Sequence, residues 1–204
     1  MRAVLVGSAL VSLCGTAAAQ IRDEDAHDAV ESAHTRYSLV AGAGLEGFID
    51  SHLREAVSSG PAWNVRGSIG NPEEVSVEVF YAGSRQPMKM GADTLVGNGV
   101  LGQVRINLFP AAFLERFFYF GAGWSRFSVK GRTADSMFPA HDDVLEMPIG
   151  VGLAYRTGAF VADLRAGFTV VTGQDLIANP DALGSEHSYS MHRFGISAQI
   201  GYSL

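Results

Sequence analysis

From residue 36 to the end of the chain, apolar side chains alternate with small or polar ones, and the alternation recurs in eight segments. Period two is the signature of a strand with two unlike faces. In Arg36 to Glu46, Tyr37, Leu39, Ala41, Ala43 and Leu45 oppose Ser38, Gly42, Gly44 and Glu46. The second segment, Ala62 to Ile69, sets Trp63, Val65 and Ile69 against Asn64, Arg66 and Ser68. The third, Val75 to Gly83, sets Val75, Val77, Val79 and Tyr81 against Ser76, Glu78 and Phe80. The fourth, Val100 to Phe109, opposes Val104, Ile106 and Leu108 to Gln103, Arg105 and Asn107. Phe117 to Ser128, Leu145 to Tyr155, Phe160 to Val171 and Tyr189 to Leu204 repeat the pattern. The second and third segments fall a little short of the roughly 9–11 residues of a transmembrane strand; the other six reach it.

The polar parity decides which face meets what. It is rich in glycine and serine with scattered charges, whereas a water-facing surface carries more Lys, Glu and Asp. Small residues with a few arginines and acids suit a narrow lumen, and the continuous apolar parity then faces lipid. The connections agree. Gly47 to Pro61, Ser84 to Gly99, Val129 to Val144 and Thr172 to Ser188 are long. Gly70 to Glu74 and Arg156 to Ala159 are short, and Pro110 to Arg116 is intermediate. Membrane barrels have long extracellular loops, short periplasmic turns and both termini in the periplasm. The expected fold is therefore all-β, an eight-stranded antiparallel up-and-down transmembrane β-barrel. Aromatic residues on the lipid parity are expected to form two interfacial girdles. Tyr37, Phe118, Tyr155, Phe160 and Tyr202 fall at one rim, and Trp63, Tyr81, Trp124 and Phe168 at the other.

Ahead of the strands, Arg2, the apolar run Ala3 to Cys14 and Ala17-Ala18-Ala19 have the layout of an export signal with cleavage near Ala19. The expected organisation is a signal peptide over 1–19, an acidic periplasmic segment over 20–35 and an outer-membrane barrel over 36–204. Cys14 is the only cysteine, so a cleaved chain has no disulfide, and hydrogen-bond closure of a sheet is the alternative staple. Of the 204 residues 47% are hydrophobic and only 18% charged, which excludes a disordered chain. A net charge of -6 leaves no basic footprint for nucleic acid.

The chain resembles the small eight-stranded outer-membrane barrels of Gram-negative bacteria, the OmpA-like group. The resemblance runs from about Arg36 to Leu204. It is carried by Phe120-Gly121-Ala122-Gly123-Trp124, by Pro148 to Arg156 and by the closing Ala198 to Leu204. It implies a location in outer-membrane lipid, insertion by the barrel assembly machinery, a monomer, and extracellular loops that meet an unknown partner. Such barrels usually end in Phe or Trp; here Leu204 is last and Tyr202 stands two residues before it. The chain is expected to stop at the last strand, with no peptidoglycan-binding domain after it.

Few residues suggest chemistry. The polar parity puts Glu46, Glu78, Glu146 and Asp163 in the lumen with Arg66, Arg105, Arg156, Arg165 and Arg193. Buried charges must be paired, so Glu78 is expected to cluster with Arg66 and Arg105. Such a cluster plugs the lumen or, alternatively, lines a narrow pore for ions or small solutes. A third reading, a soluble lipocalin-like barrel binding an apolar ligand, would turn Ile149, Val151, Leu164 and Ile196 into a cavity. Some barrels of this size resemble lipid A deacylases or palmitoyltransferases, but Ser190-Met191-His192 reverses the deacylase order, and Glu186, His187 and Ser188 do not restore it. His141-Asp142-Asp143 reads as an acidic loop tip. No enzyme activity, cofactor or metal site is expected.

Overall fold

A computed structural model of the chain describes residues 35–71, 74–89, 93–108, 114–131, 141–173 and 190–204. Residues 1–34 lie outside the described residues, and with them the expected signal peptide and most of the acidic segment. Thr35–Leu204 form one compact unit.

Eight strands close into a barrel, each pairing with its sequence neighbours and the last with the first. They are β1 (Arg36–Phe48), β2 (Gly60–Gly70), β3 (Val75–Pro87), β4 (Thr94–Asn107), β5 (Glu115–Lys130), β6 (His141–Thr157), β7 (Phe160–Thr172) and β8 (Arg193–Ser203). All pairs are antiparallel. Closure is completed where Leu204 N–H donates to the Tyr37 carbonyl and Tyr37 N–H donates back. One short helix, α1 (Ser51–Ala56), sits between β1 and β2. The Asp50 carboxylate caps it by accepting from the backbone N–H groups of His52 and Leu53, at 2.9 and 3.1 Å.

Several strands run longer than the alternation suggests. β3 continues to Pro87 and β4 starts at Thr94, so the connection expected over Ser84 to Gly99 shrinks to residues 88–93. The parity is harder to follow there because Gly97, Asn98 and Gly99 carry little hydrophobic contrast. β2 and β3 have 11 and 13 residues, enough to cross a bilayer. β8 starts at Arg193 rather than Tyr189. The turn from β6 to β7 is two residues long, with Gly158 at a left-handed φ of 56°.

The two parities separate cleanly. Val65, Val77, Val79, Val100, Phe120, Val151, Leu164 and Ile200 are exposed on the outer wall, while Arg66, Glu78, Gln103, Arg105, Asp163, Arg165 and Gln199 are buried inside. The alternation continues through every strand, so the barrel is apolar outside and, over its middle, polar within. Inward glycines make room for inward rings. A Cβ on Gly152 would lie 2.2 Å from Phe117 Cζ, and one on Gly167 would lie 2.2 Å from the Tyr119 hydroxyl. Phe117 and Tyr119 on β5 thus fill space that β6 and β7 leave open.

Candidate functional site

The lumen is filled in layers. Each strand contributes an inward charge at a height fixed by its register, and the layers follow from the Cα pairing.

The layer nearest the short turns contains Arg105 from β4, Glu115 at the start of β5 and Arg156 at the end of β6. Arg105 Nη2 donates to Glu115 at 2.7 Å and its Nε to Asn107 at 3.0 Å. Arg156 Nε reaches Glu115 at 3.0 Å. The Arg105 guanidinium stacks 3.9 Å from the Phe117 ring centroid, which shields its face from water.

The middle layer spans the barrel. Arg165 on β7 donates two parallel hydrogen bonds to Glu78 on β3, at 2.8 and 2.9 Å. Arg66 on β2 lies 3.2 Å from the other side of Glu78 and also pairs with Asp163 on β7. Glu78 is 1% exposed and Arg66 likewise. The bidentate fork fixes both orientation and distance, and the four side chains form a closed bridge from β2 and β3 to β7. Arg165 further stacks on Phe80, Phe117 and Tyr119, with centroids 4.9–5.3 Å away.

The upper charged layer joins Glu46 on β1, Glu146 on β6 and Arg193 on β8. Arg193 Nη1 donates to Glu46 at 2.6 Å, and Nη2 pairs with Glu146. Gln86 Nε2 also donates to Glu46 at 3.1 Å. Between the middle and upper layers lies a cavity of about 150 Å³, lined by Asn64, Gln103, Tyr119, Glu146, Arg193 and Gln199 among others. Asn64 Oδ1, Arg193 Nε and Gln199 Oε1 have no protein partner. The space is polar and wide enough for several waters.

Above these layers the chemistry changes. Phe48, Leu95, Phe127, Val129, Val144 and Val171 from the strand ends pack with Leu53 of α1, Val57, Met88 and Met191 into one buried apolar cluster. An isolated bridge between Val57 and Met88 ties the first long connection to the second. Lys89 Nζ adds a bond to the Arg54 carbonyl at 2.6 Å. The lumen therefore ends in an apolar stopper.

This geometry corrects one expected contact. Arg105 does not pair with Glu78; it turns to Glu115, which is nearer on the neighbouring strand, and Arg165 takes its place. Glu115 was missed because it precedes the first clear alternation of β5, although it shares the inward parity of Phe117 and Tyr119. With Glu115 counted, the three layers hold five acids and five arginines. The apolar stopper has no periodic signal, since four of its ten residues come from connections.

The other candidates resolve into local contacts. Tyr37, Trp63, Tyr81, Trp124, Phe160 and Tyr202 are exposed on the outer wall, and Phe118 and Tyr155 are half-buried there. His141 and Asp143 are outward and exposed, whereas Asp142 is buried and inward, so these three are the first residues of β6 rather than a loop tip and cannot converge on one ion. Ser190 and His192 precede β8. His192 Nδ1 accepts from Val171 N–H at 3.2 Å, and its ring meets Phe168 edge-on. Glu186, His187 and Ser188 lie outside the described residues. Ile149, Val151, Leu164 and Ile196 are exposed outward, which overturns the lipocalin-like alternative because the cavity it requires is lined by charges.

Solved structures show where this architecture recurs. The crystal structure of Ail, the attachment invasion locus protein of Yersinia pestis, superposes with a TM-score of 0.51 at 12% identity, covering 83% of this chain and 98% of Ail. Neisserial surface protein A superposes with a TM-score of 0.56 at 13% identity, covering 82% of this chain and 96% of that one. The fold is that of a small eight-stranded outer-membrane barrel. No family model and no curated protein sequence matches the chain. In this barrel the apolar parity faces outward and the layered charged side chains lie in the lumen.

Proposed function

We propose that this protein is an occluded outer-membrane scaffold whose role is carried by its extracellular connections. The observation behind this reading is the double closure of the lumen, by the Arg66–Glu78–Arg165–Asp163 bridge and by the apolar stopper above it. An eight-stranded barrel is only wide enough for its own side chains, and here side chains of two kinds fill it. The protein is inserted as a monomer by the barrel assembly machinery after its leader is removed. It holds no cofactor and catalyses no reaction. Ail has been crystallised with the heparin analogue sucrose octasulfate, which supports surface recognition as one use of this architecture.

The pore reading is favoured by one observation, the polar cavity beside Glu46 and Glu146. Planar-bilayer recording of the refolded, heat-modifiable protein separates the two. An occluded scaffold gives no steady conductance, and Glu78→Gln leaves it silent. Steady unitary currents from the unmodified chain would establish the pore instead. Cells displaying the barrel with its long connections replaced by two-residue turns are expected to lose surface binding while keeping the heat-modifiable band.

A further inference from the structure

The outer wall is not uniform around the barrel. At the end with long connections, Tyr81, Val100 and Trp124 lie in one row across β3, β4 and β5. Directly above stand Gly83, Asn98 and Arg126, then Arg85, Val96 and Ser128, then Pro87, Thr94 and Lys130. Arg85, Arg126 and Lys130 are all exposed and all on the outward parity. Among the described residues, the outward positions at this end of β1, β2, β7 and β8 carry no basic side chain. Asp143 is the acid ion-paired with the patch. It binds Arg126 Nε and Nη2 at 2.7 and 2.8 Å and leaves Nη1 over. Arg126 also sits 5.4 Å from the Trp124 ring centroid.

A second feature lies on the same strands below the aromatic row. Gly67, Val79, Gly102 and Ala122 form the next row down. Most inward glycines are needed, because an added Cβ would strike a neighbour; Gly195, with its nearest atom at 3.6 Å, is an exception. A Cβ on Gly67 would meet nothing within 4 Å, and one on Gly102 only the Ala122 carbonyl at 3.9 Å. Barrel packing therefore does not require these two glycines, which cost backbone entropy in a strand. Val79 stands between the two glycines and is exposed, so Gly102 with Ala122 leaves a shallow depression on one side of it, walled by Val100 above and Val104 below, and Gly67 a notch on the other.

We propose that the β3–β5 wall binds a phosphate-bearing glycolipid of the outer leaflet, with Arg85, Arg126 and Lys130 on its phosphates and an acyl chain in the Gly102–Ala122 depression beside Val79. Position favours a lipid over a soluble anion. The cations project sideways from the wall, immediately above the interfacial aromatics, where headgroups lie. A soluble saccharide docks on loop tips. Arg126 and Ala122 are four residues apart on β5, or about 13 Å along the strand, the separation between a headgroup and the middle of a chain. The proposal rests on the membrane reading of the barrel, and the heat-modifiable band reports that reading separately.

The test uses the full chain, expressed, extracted from outer membranes in mild detergent and stripped of lipid. Native mass spectrometry then follows titration with a diphosphorylated, acylated glucosamine disaccharide. Parallel titrations use the same lipid without phosphates and a soluble sulfated saccharide. The phosphorylated lipid should be retained, and R85Q/R126Q/K130Q should weaken retention roughly tenfold or more. Arg116→Gln, outward at the opposite rim, should leave it unchanged, and Gly102→Leu should weaken it a few-fold by filling the depression. If the triple variant loses its heat-modifiable band, Lys130→Gln alone serves, with a few-fold loss expected. Equal retention of the phosphate-free lipid, retention by the folded basic-residue variants equal to the unmodified chain, or tighter binding of the soluble saccharide would each overturn the proposal.

Discussion

Two levels of one lumen are filled by opposite chemistry. At mid-depth, Arg66, Glu78, Asp163 and Arg165 bridge the barrel with charge, every one of them buried. Near the long connections, Phe48, Leu53, Leu95, Phe127 and Val171 close it with hydrocarbon. The charged level is built wholly from strands, so its geometry is as rigid as the sheet. The apolar level borrows Leu53, Val57, Met88 and Met191 from connections, so it depends on how loops are tied down. A desolvated charge network is costly to disturb at any one member. An apolar cluster loses stability in proportion to the area and cavity involved. The two closures should therefore fail differently.

The largest effect is expected at Glu78. Glu78→Ala leaves Arg66 and Arg165 to share Asp163, with one buried charge uncompensated, and should destabilise the barrel by about 3–5 kcal/mol, read as a shift of the urea midpoint in vesicles. Replacing all four members, Arg66, Glu78, Asp163 and Arg165, by apolar residues of similar volume should recover most of that loss. If Glu78→Ala alone is harmless, the bridge does not close the lumen. The next effect is expected in the stopper, where Leu53→Ala should cost roughly 2–4 kcal/mol. A loss confined to hydrogen-exchange protection of the strand ends would show that the stopper unfolds apart from the barrel.

These two levels were unequally legible in the amino-acid order. The strands announce themselves because each alternates for most of its length. That alternation places Glu78, Asp163 and Arg165 on one face without any structure. The choice of partner is another matter. Glu78 has several inward arginines within reach, and the selection of Arg165 over Arg105 depends on strand tilt and stagger, which parity does not encode. Glu115 is hidden at a strand start for a related reason, since one residue cannot establish a period. The stopper is hidden more deeply. Leu53 lies in a six-residue helix and Met88 in a turn, and only closure of the barrel brings them over the same opening. The outward glycines form a third case. In sequence Gly102 resembles Gly152, and both fit a crowded barrel. The wall shows that one is packed against a ring and the other is not.

That third case gives a smaller effect with opposite signs. Gly152→Ala places a methyl 2.2 Å from Phe117 Cζ and 2.8 Å from the Leu164 carbonyl, so it should destabilise by roughly 1–3 kcal/mol. Gly102→Ala meets only the Ala122 carbonyl, at an ordinary 3.9 Å, and should stabilise the strand by about 0.5 kcal/mol. Thermal loss of the heat-modifiable band ranks the two against the unmodified chain. Equal destabilisation would mean that the outer wall is as crowded as the lumen.

The smallest effect is expected above the aromatic row, where charge meets water instead of the lumen. Hydrogen bonds from Arg126 hold the Asp143 carboxyl below the ordinary carboxylate range. A carboxyl lowered in the folded state contributes stability that is present above its unfolded value, near 4, and is lost as the pH falls through the folded value. Both side chains are well exposed, so water and salt screen the pair. Asp143→Asn should leave the thermal midpoint at pH 7 almost unmoved and flatten only the part of its acid dependence below about pH 4. The Glu78 variant should instead shift the midpoint at pH 7. If Asp143→Asn moved the midpoint at pH 7 as far as Glu78→Ala, burial would not be what separates a closing charge network from a surface pair.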